Sequence, residues 1–216
     1  MATEAPYPVQ FDVDYPDREL NRVTTAFRII WVIPIAIVLA FVSGGGGWGN
    51  AGDWGGGDGT RYSVALGGSG LLFLAPLVMI LFRQKYPRWW YDWNLQLMRF
   101  SNRVGAYFVL LRDEYPSTDD EQAVHLDFPY PDAKNDLNRW LPLVKWLLAI
   151  PHYIVLFFLW LAAVVAVVIA WFAILVTGRY PRPLFDLVVG VARWSLRVDA
   201  YAFLLVTDRY PPFSLR

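Results

Sequence analysis

Residues Leu137 to Pro181 read LNRWLPLVKWLLAIPHYIVLFFLWLAAVVAVVIAWFAILVTGRYP, and no residue between Lys145 and Arg179 carries a formal charge. A bilayer offers no partners to backbone N–H and C=O groups, so an apolar run beyond about eighteen residues reads as a membrane-spanning helix. The stretch therefore sets the fold class: an integral membrane protein, mainly α with a small β layer. As one helix the run would extend on the order of 50 Å, against a hydrocarbon core of about 30 Å. Folding back near Leu159 to Leu161 resolves the excess and makes a helical hairpin. No turn residue marks that tip, and one long helix, tilted or kinked at Pro151, is the alternative.

Working outward, VQFDVDY (residues 9–15) alternates apolar and polar side chains, the period of a half-buried strand. Pro16 stops it, and Asp17 can cap the helix that follows, whose apolar part runs from about Phe27 to Val42. A glycine-rich loop at 43–60 interrupts, and a second apolar helix is expected from about Ser63 to Phe82. The stretch RWWYDWNLQLMRFSNRVGAYFVLLRDEYP, with charges at helical spacing, predicts an amphipathic helix lying in the membrane interface, then a strand. After the polar boundary Ser117 to Gln122, AVHLDFPYPD alternates again.

Landmarks recur in the same order in both halves. Tyr15-Pro16-Asp17 matches Tyr130-Pro131-Asp132, Leu20-Asn21-Arg22 matches Leu137-Asn138-Arg139, and Ile33-Pro34 matches Ile150-Pro151. Tyr86-Pro87-Arg88 matches Tyr180-Pro181-Arg182, after which Asp92, Arg99, Arg103 and Tyr107 match Asp186, Arg193, Arg197 and Tyr201 at equal offsets. The pattern predicts a tandem repeat. Residues 1–116 hold a strand, a transmembrane hairpin with the glycine-rich loop at its tip, the interfacial helix and a strand; residues 123–216 repeat that order without the loop. About four spans result. Basic residues flank both hairpin bases, so the positive-inside tendency puts bases, strands and termini in the cytoplasm.

Composition excludes some roles. With 19 basic and 19 acidic residues and no like-charge block, the chain offers no electrostatic footprint for nucleic acid. The absence of cysteine removes disulfides, thiolate nucleophiles and Cys-held metals. An acidic, proline-rich amino terminus is unlike a cleavable signal peptide and is expected to be retained.

The candidate site is the charged stripe on the two amphipathic helices: Asp92, Arg99, Arg103 and Tyr107 in the first, Asp186, Arg193, Arg197 and Tyr201 in the second. Steps of four and seven keep each set on one helix face. Charges in apolar surroundings must be paired or reach water, so these arginines either pair with aspartates of the other repeat or bind anionic lipid phosphates. Tyr-Pro pairs at 7, 15, 86, 115, 130, 180 and 210 read as corner pieces at headgroup depth. His152 and His125 lack a second ligand at metal spacing, and the glycine-rich loop offers only Asp53 and Asp58 for a cation. No phosphate-binding glycine turn, nucleophile elbow or HExxH is present.

Ile150-Pro151-His152, Gly178-Arg179-Tyr180-Pro181, Arg193-Trp194-Ser195 and Thr207-Asp208-Arg209-Tyr210-Pro211-Pro212-Phe213 resemble a family of bacterial membrane proteins, domain of unknown function 4389. Degraded versions at Gln84-Lys85-Tyr86-Pro87 and Arg99-Phe100-Ser101 extend the resemblance over nearly the whole chain except the glycine loop. It implies bacterial origin and an integral membrane location, for which the bacterial inner membrane is the expectation, and supplies no activity or cofactor. The expectation is a non-catalytic accessory subunit of a membrane assembly, with membrane lipids and a protein partner or second copy as its contacts. An anionic-lipid-binding or small-molecule transport module is the alternative.

Overall fold

The computed structural model describes residues 7–43, 68–118 and 120–216. The two alternating stretches form β1 (Gln10–Val13) and β2 (Val124–Asp127). They pair antiparallel in a two-stranded ribbon, Phe11 opposite Leu126 and Asp12 opposite His125. Alternation sends Val9, Phe11, Val13, Val124, Leu126 and Phe128 into the core and leaves Gln10, Asp12, His125 and Asp127 exposed.

Helices α1 (Arg22–Ala26), α2 (Arg28–Val42), α3 (Gly68–Arg83), α4 (Arg88–Phe108), α5 (Pro142–Leu148), α6 (Ile150–Thr177) and α7 (Arg182–Ala202) make up the rest of the regular structure among the described residues. They stack in layers on the ribbon: α4 lies on β2 and α7 on β1, then α2 covers α4 and α6 covers α7. Helix α3 meets α5, and α1 meets α6. Proline opens the middle layer in both halves, Pro87 before α4 and Pro181 before α7, where a missing N–H costs nothing.

The second half contains no hairpin. Helix α6 runs unbroken for 28 residues, about 42 Å at 1.5 Å per residue. A seam of Ala163, Ala166, Ala170 and Ile174, none more than 3% exposed, packs it continuously inward, and no residue in it favours a turn before Gly178. Gly178 ends it with φ +74°. Among the described residues α6 is the single helix long and apolar enough to cross a membrane. In the first half the corresponding apolar segments are α2 and α3, and the expected tip, from Gly44 on, lies outside the described residues.

Other expectations are corrected locally. Asn21, not Asp17, caps the first helix, its side chain accepting from the Val23 and Thr24 amides. No strand follows α4 or α7: Leu110 and Leu205 adopt left-handed backbone, φ +68° and +57°, which breaks extended structure. The amphipathic helices form the middle of the stack, and Tyr86 and Tyr180 are buried within it. Their Tyr-Pro neighbours tie the corners, Tyr15 donating to the Tyr180 carbonyl at 2.5 Å and Tyr130 to the Tyr86 carbonyl.

Two buried cations fasten the outer layer to the middle one. Arg28 pairs with Asp113, donates to the Arg112 carbonyl at 2.7 Å and lies 4.2 Å from the centroid of the Tyr107 ring. Lys145 pairs with Asp208 at 2.6 Å, donates to the Thr207 carbonyl at 2.7 Å and lies 5.1 Å from the Tyr201 ring. Each aspartate also accepts a backbone amide at 2.5 Å, from Asn21 and Asn138 respectively. Removing one partner of a buried pair strands the other charge, at about 3–5 kcal/mol. Asp113→Asn and Asp208→Asn should each lower stability on that scale in thermal unfolding of the purified protein, and a melting temperature unchanged by both would disprove the clamp.

Candidate functional site

The stripe residues part company in three dimensions. The four arginines converge on one cavity of about 570 Å³ at the strand ribbon. From α4, Arg99 donates Nε–H to the Leu126 carbonyl at 2.9 Å and places Nη2 3.5 Å from Asp127. From α7, Arg193 donates Nε–H to the Phe11 carbonyl at 2.7 Å and pairs with Asp12 at 2.8 Å. Leu126 and Phe11 face each other across the ribbon, so each helix reaches the strand of the other half. The planar guanidinium fork suits this double duty, serving a carbonyl and a carboxylate at once.

Arg103 and Arg197 lie one turn further along the same faces and are held differently. Arg103 donates Nη1–H to the Ser117 carbonyl at 3.0 Å, and Arg197 lies 5.8 Å from the centroid of the Tyr7 ring. Neither is paired with a carboxylate among the described residues, and the Nε–H of each is buried without an acceptor. Burial and the neighbouring Arg193 charge both work against the Arg197 cation. Tyr107 and Tyr201 lie elsewhere, beneath Arg28 and Lys145, while Asp92 and Asp186 are exposed and outside this cavity. Asp12 and Asp127 match one another in the two halves, each three residues before a Tyr-Pro corner, which is their sequence signal; Tyr7 carried none beyond its Tyr-Pro dipeptide.

A second polar group lies in the seam between α6 and α7. The wholly buried His152 accepts from Trp194 Nε1 at 3.2 Å and stacks on Phe213 at 4.0 Å, and Trp160 Nε1 donates to Ser195 Oγ at 3.0 Å. No group of three or more His, Cys, Asp or Glu side chains that could hold a metal gathers among the described residues. Asp199 also faces this seam, where the corresponding α4 position is Gly105. It keeps some exposed surface yet is enclosed by protein on nearly every side, and that enclosure pushes its carboxyl up to about 6.

Because the folded value lies above the unfolded one, the folded state binds the proton more tightly. The ionised carboxylate therefore destabilises the protein fully above pH 6, and the penalty fades as pH falls toward 4. Asp199→Asn should raise stability by about 1–3 kcal/mol at pH 7.5 and by only about a third of that at pH 4.5, measured by thermal unfolding at both values. Equal effects at the two pH values would show that the carboxylate is not held protonated by the fold.

No curated protein and no solved structure matches the chain. Residues 140–214, from the start of α5 to the carboxyl-terminal segment and including Arg193, Arg197 and Asp199, match the family model described as a domain of unknown function (DUF4389).

Proposed function

We propose that the chain is a non-catalytic accessory protein of a membrane assembly that lies in the bilayer surface, its outer helices in lipid and its strand ribbon in water. The two-sidedness of the stack carries this reading. Helix α6 exposes Ile154, Phe157, Phe158, Leu161, Val164, Val168 and Phe172, and α2 adds Ile29, Ile30, Trp31, Ile33 and Phe41. These twelve chains are 50–73% exposed, so leaving them in water forgoes roughly half to three-quarters of the about 1.5–3 kcal/mol that full burial of each contributes, a total on the order of the net stability of about 5–15 kcal/mol typical of a domain. A cover is required.

The ribbon side favours a flat orientation over an upright one. Trp160, near the middle of α6, bonds Ser195, which is two residues from the Arg193 that holds Asp12. The Asp12 and Asp127 side chains are 69% and 74% exposed, one helix layer behind the middle of α6. A helix is about 10 Å across and the hydrocarbon core about 30 Å thick, so an upright α6 would carry these carboxylates into lipid. That costs about 2.5–3.5 kcal/mol per charge or more. Laid flat with its apolar face sunk about 5–10 Å, α6 keeps them in water.

Contacts that recur at corresponding positions support reading the halves as two copies of one unit about an approximate two-fold axis through the Phe11–Leu126 pair. The basic flanks favour the cytoplasmic side of a bacterial inner membrane for ribbon and termini. Arginines and tyrosines occupied with internal ties support a structural role over a catalytic one, with lipid and either another membrane protein or a second copy as partners.

The chain contains no cysteine, so Lys134→Cys, ahead of α5, and Arg179→Cys, beyond α6, each create one labelling site. In sealed vesicles of known orientation, a membrane-impermeant maleimide should reach both from the same side. Labelling from opposite sides would mean that α6 crosses the bilayer, and recovery of the chain in the soluble fraction would remove the membrane reading altogether.

A further inference from the structure

We infer that the four-arginine cavity on the ribbon is a binding site for one phosphate-bearing anion, gripped between Arg103 and Arg197. Arg99 and Arg193 are already matched by Asp127 and Asp12 and fixed by strand carbonyls, so they form the walls. Arg103 and Arg197 remain, one from each half, with no carboxylate partner among the described residues. An arginine does not relieve an unanswered charge by losing its proton. Both side chains line the cavity, and an oxyanion there with several acceptor oxygens answers both charges together.

The dimensions and charge narrow the class. A cavity of about 570 Å³ is much larger than one inorganic anion and lies within the range of about 300–1,000 Å³ typical of small-molecule sites. Exposed Glu121 joins Asp12 and Asp127 around the four arginines, leaving a single net positive charge if all are ionised. Such a site takes a phosphate ester or diphosphate whose charge is directed at Arg103 and Arg197, and a simple carboxylate offers too few acceptors for two guanidinium forks. The phosphate could belong to a soluble metabolite or to a lipid headgroup. The cavity opens on the ribbon, on the far side of the middle helices from the apolar face of α6, which favours the soluble source. This inference rests on the cavity alone and holds whether α6 lies in the membrane or crosses it.

The probe is inorganic diphosphate, titrated calorimetrically into the full-length protein in discs of phosphatidylcholine. Saturable binding that weakens with added salt is the expected result. The Arg103→Gln/Arg197→Gln double variant should bind at least tenfold more weakly, while Arg103→Lys/Arg197→Lys, which keeps both charges, should stay closer to wild type than the glutamine pair. Arg88→Gln, outside the cavity, should leave affinity unchanged. Repeating the titration in discs containing phosphatidylglycerol separates the sources. Unchanged affinity supports a soluble ligand, whereas competition by the lipid overturns that assignment. Absence of diphosphate binding by the wild-type protein, or undiminished binding by a folded glutamine variant, overturns the site itself.

Discussion

Arg28 and Lys145 sit where water does not reach, and the remainder of the fold is arranged to make that tolerable. A buried cation is stable only when its charge and its donors are all answered. Each is answered by an aspartate, a carbonyl and the face of a tyrosine, drawn from the last turn of the middle helix and the loop that follows it. Meeting that demand fixes the start of the outer layer against the end of the middle one. The left-handed turns at Leu110 and Leu205 follow from the same demand, since they bring Asp113 and Asp208 back under the cations. The middle helices are thereby held with their arginine faces toward the ribbon.

Once those faces are set, neither half is complete alone. Arg99 satisfies a carbonyl and a carboxylate of β2, and Arg193 does the same for β1. Tyr15 and Tyr130 make the reciprocal ties at the corners, and Arg182 and Arg88 lie over those same tyrosine rings. A two-stranded ribbon is marginal by itself. Here it is fastened from both sides by charged hydrogen bonds, which are stronger than neutral ones, so a short polar element persists beside an apolar stack. The arrangement also explains how a charge-balanced chain can be sharply two-sided, with the carboxylates gathered at the ribbon and the aliphatic residues on α2 and α6.

What could be read in the sequence was what is local or repeated at constant spacing. The strands at Gln10–Val13 and Val124–Asp127, the helix beginnings after Tyr-Pro and the paired arginine stripes all belong to that class. The clamp was hidden although Arg28 and Lys145 each lie eight residues beyond their matching leucines, Leu20 and Leu137. Two residue types fill one role there, and a one-residue shift separates Asp113 from Asp208 when counted from Tyr107 and Tyr201. The hairpin reading of α6 failed for a different reason. Bilayer thickness alone does not tell a hairpin from one long helix, tilted or kinked at Pro151, and the alanine seam at Ala163, Ala166 and Ala170 packs one face continuously along the protein as a single helix. The convergence of the arginines on a single cavity required the register of β1 against β2, which no single-sequence pattern supplies.

The halves differ where the shared ties leave them free to. In the second half the outer helix is unbroken and its seam carries His152 and Asp199; the first half has Ile35 and Gly105 at those places and a glycine-rich insertion in the apolar run. None of these positions takes part in the clamp or the ribbon contacts, so they can change without loosening either. The family match spans residues 140–214, within the half that has the uninterrupted helix and the polar seam. Both halves place two arginines at the ribbon cavity while their outer helices differ, so the cavity rather than either outer face is what they have in common.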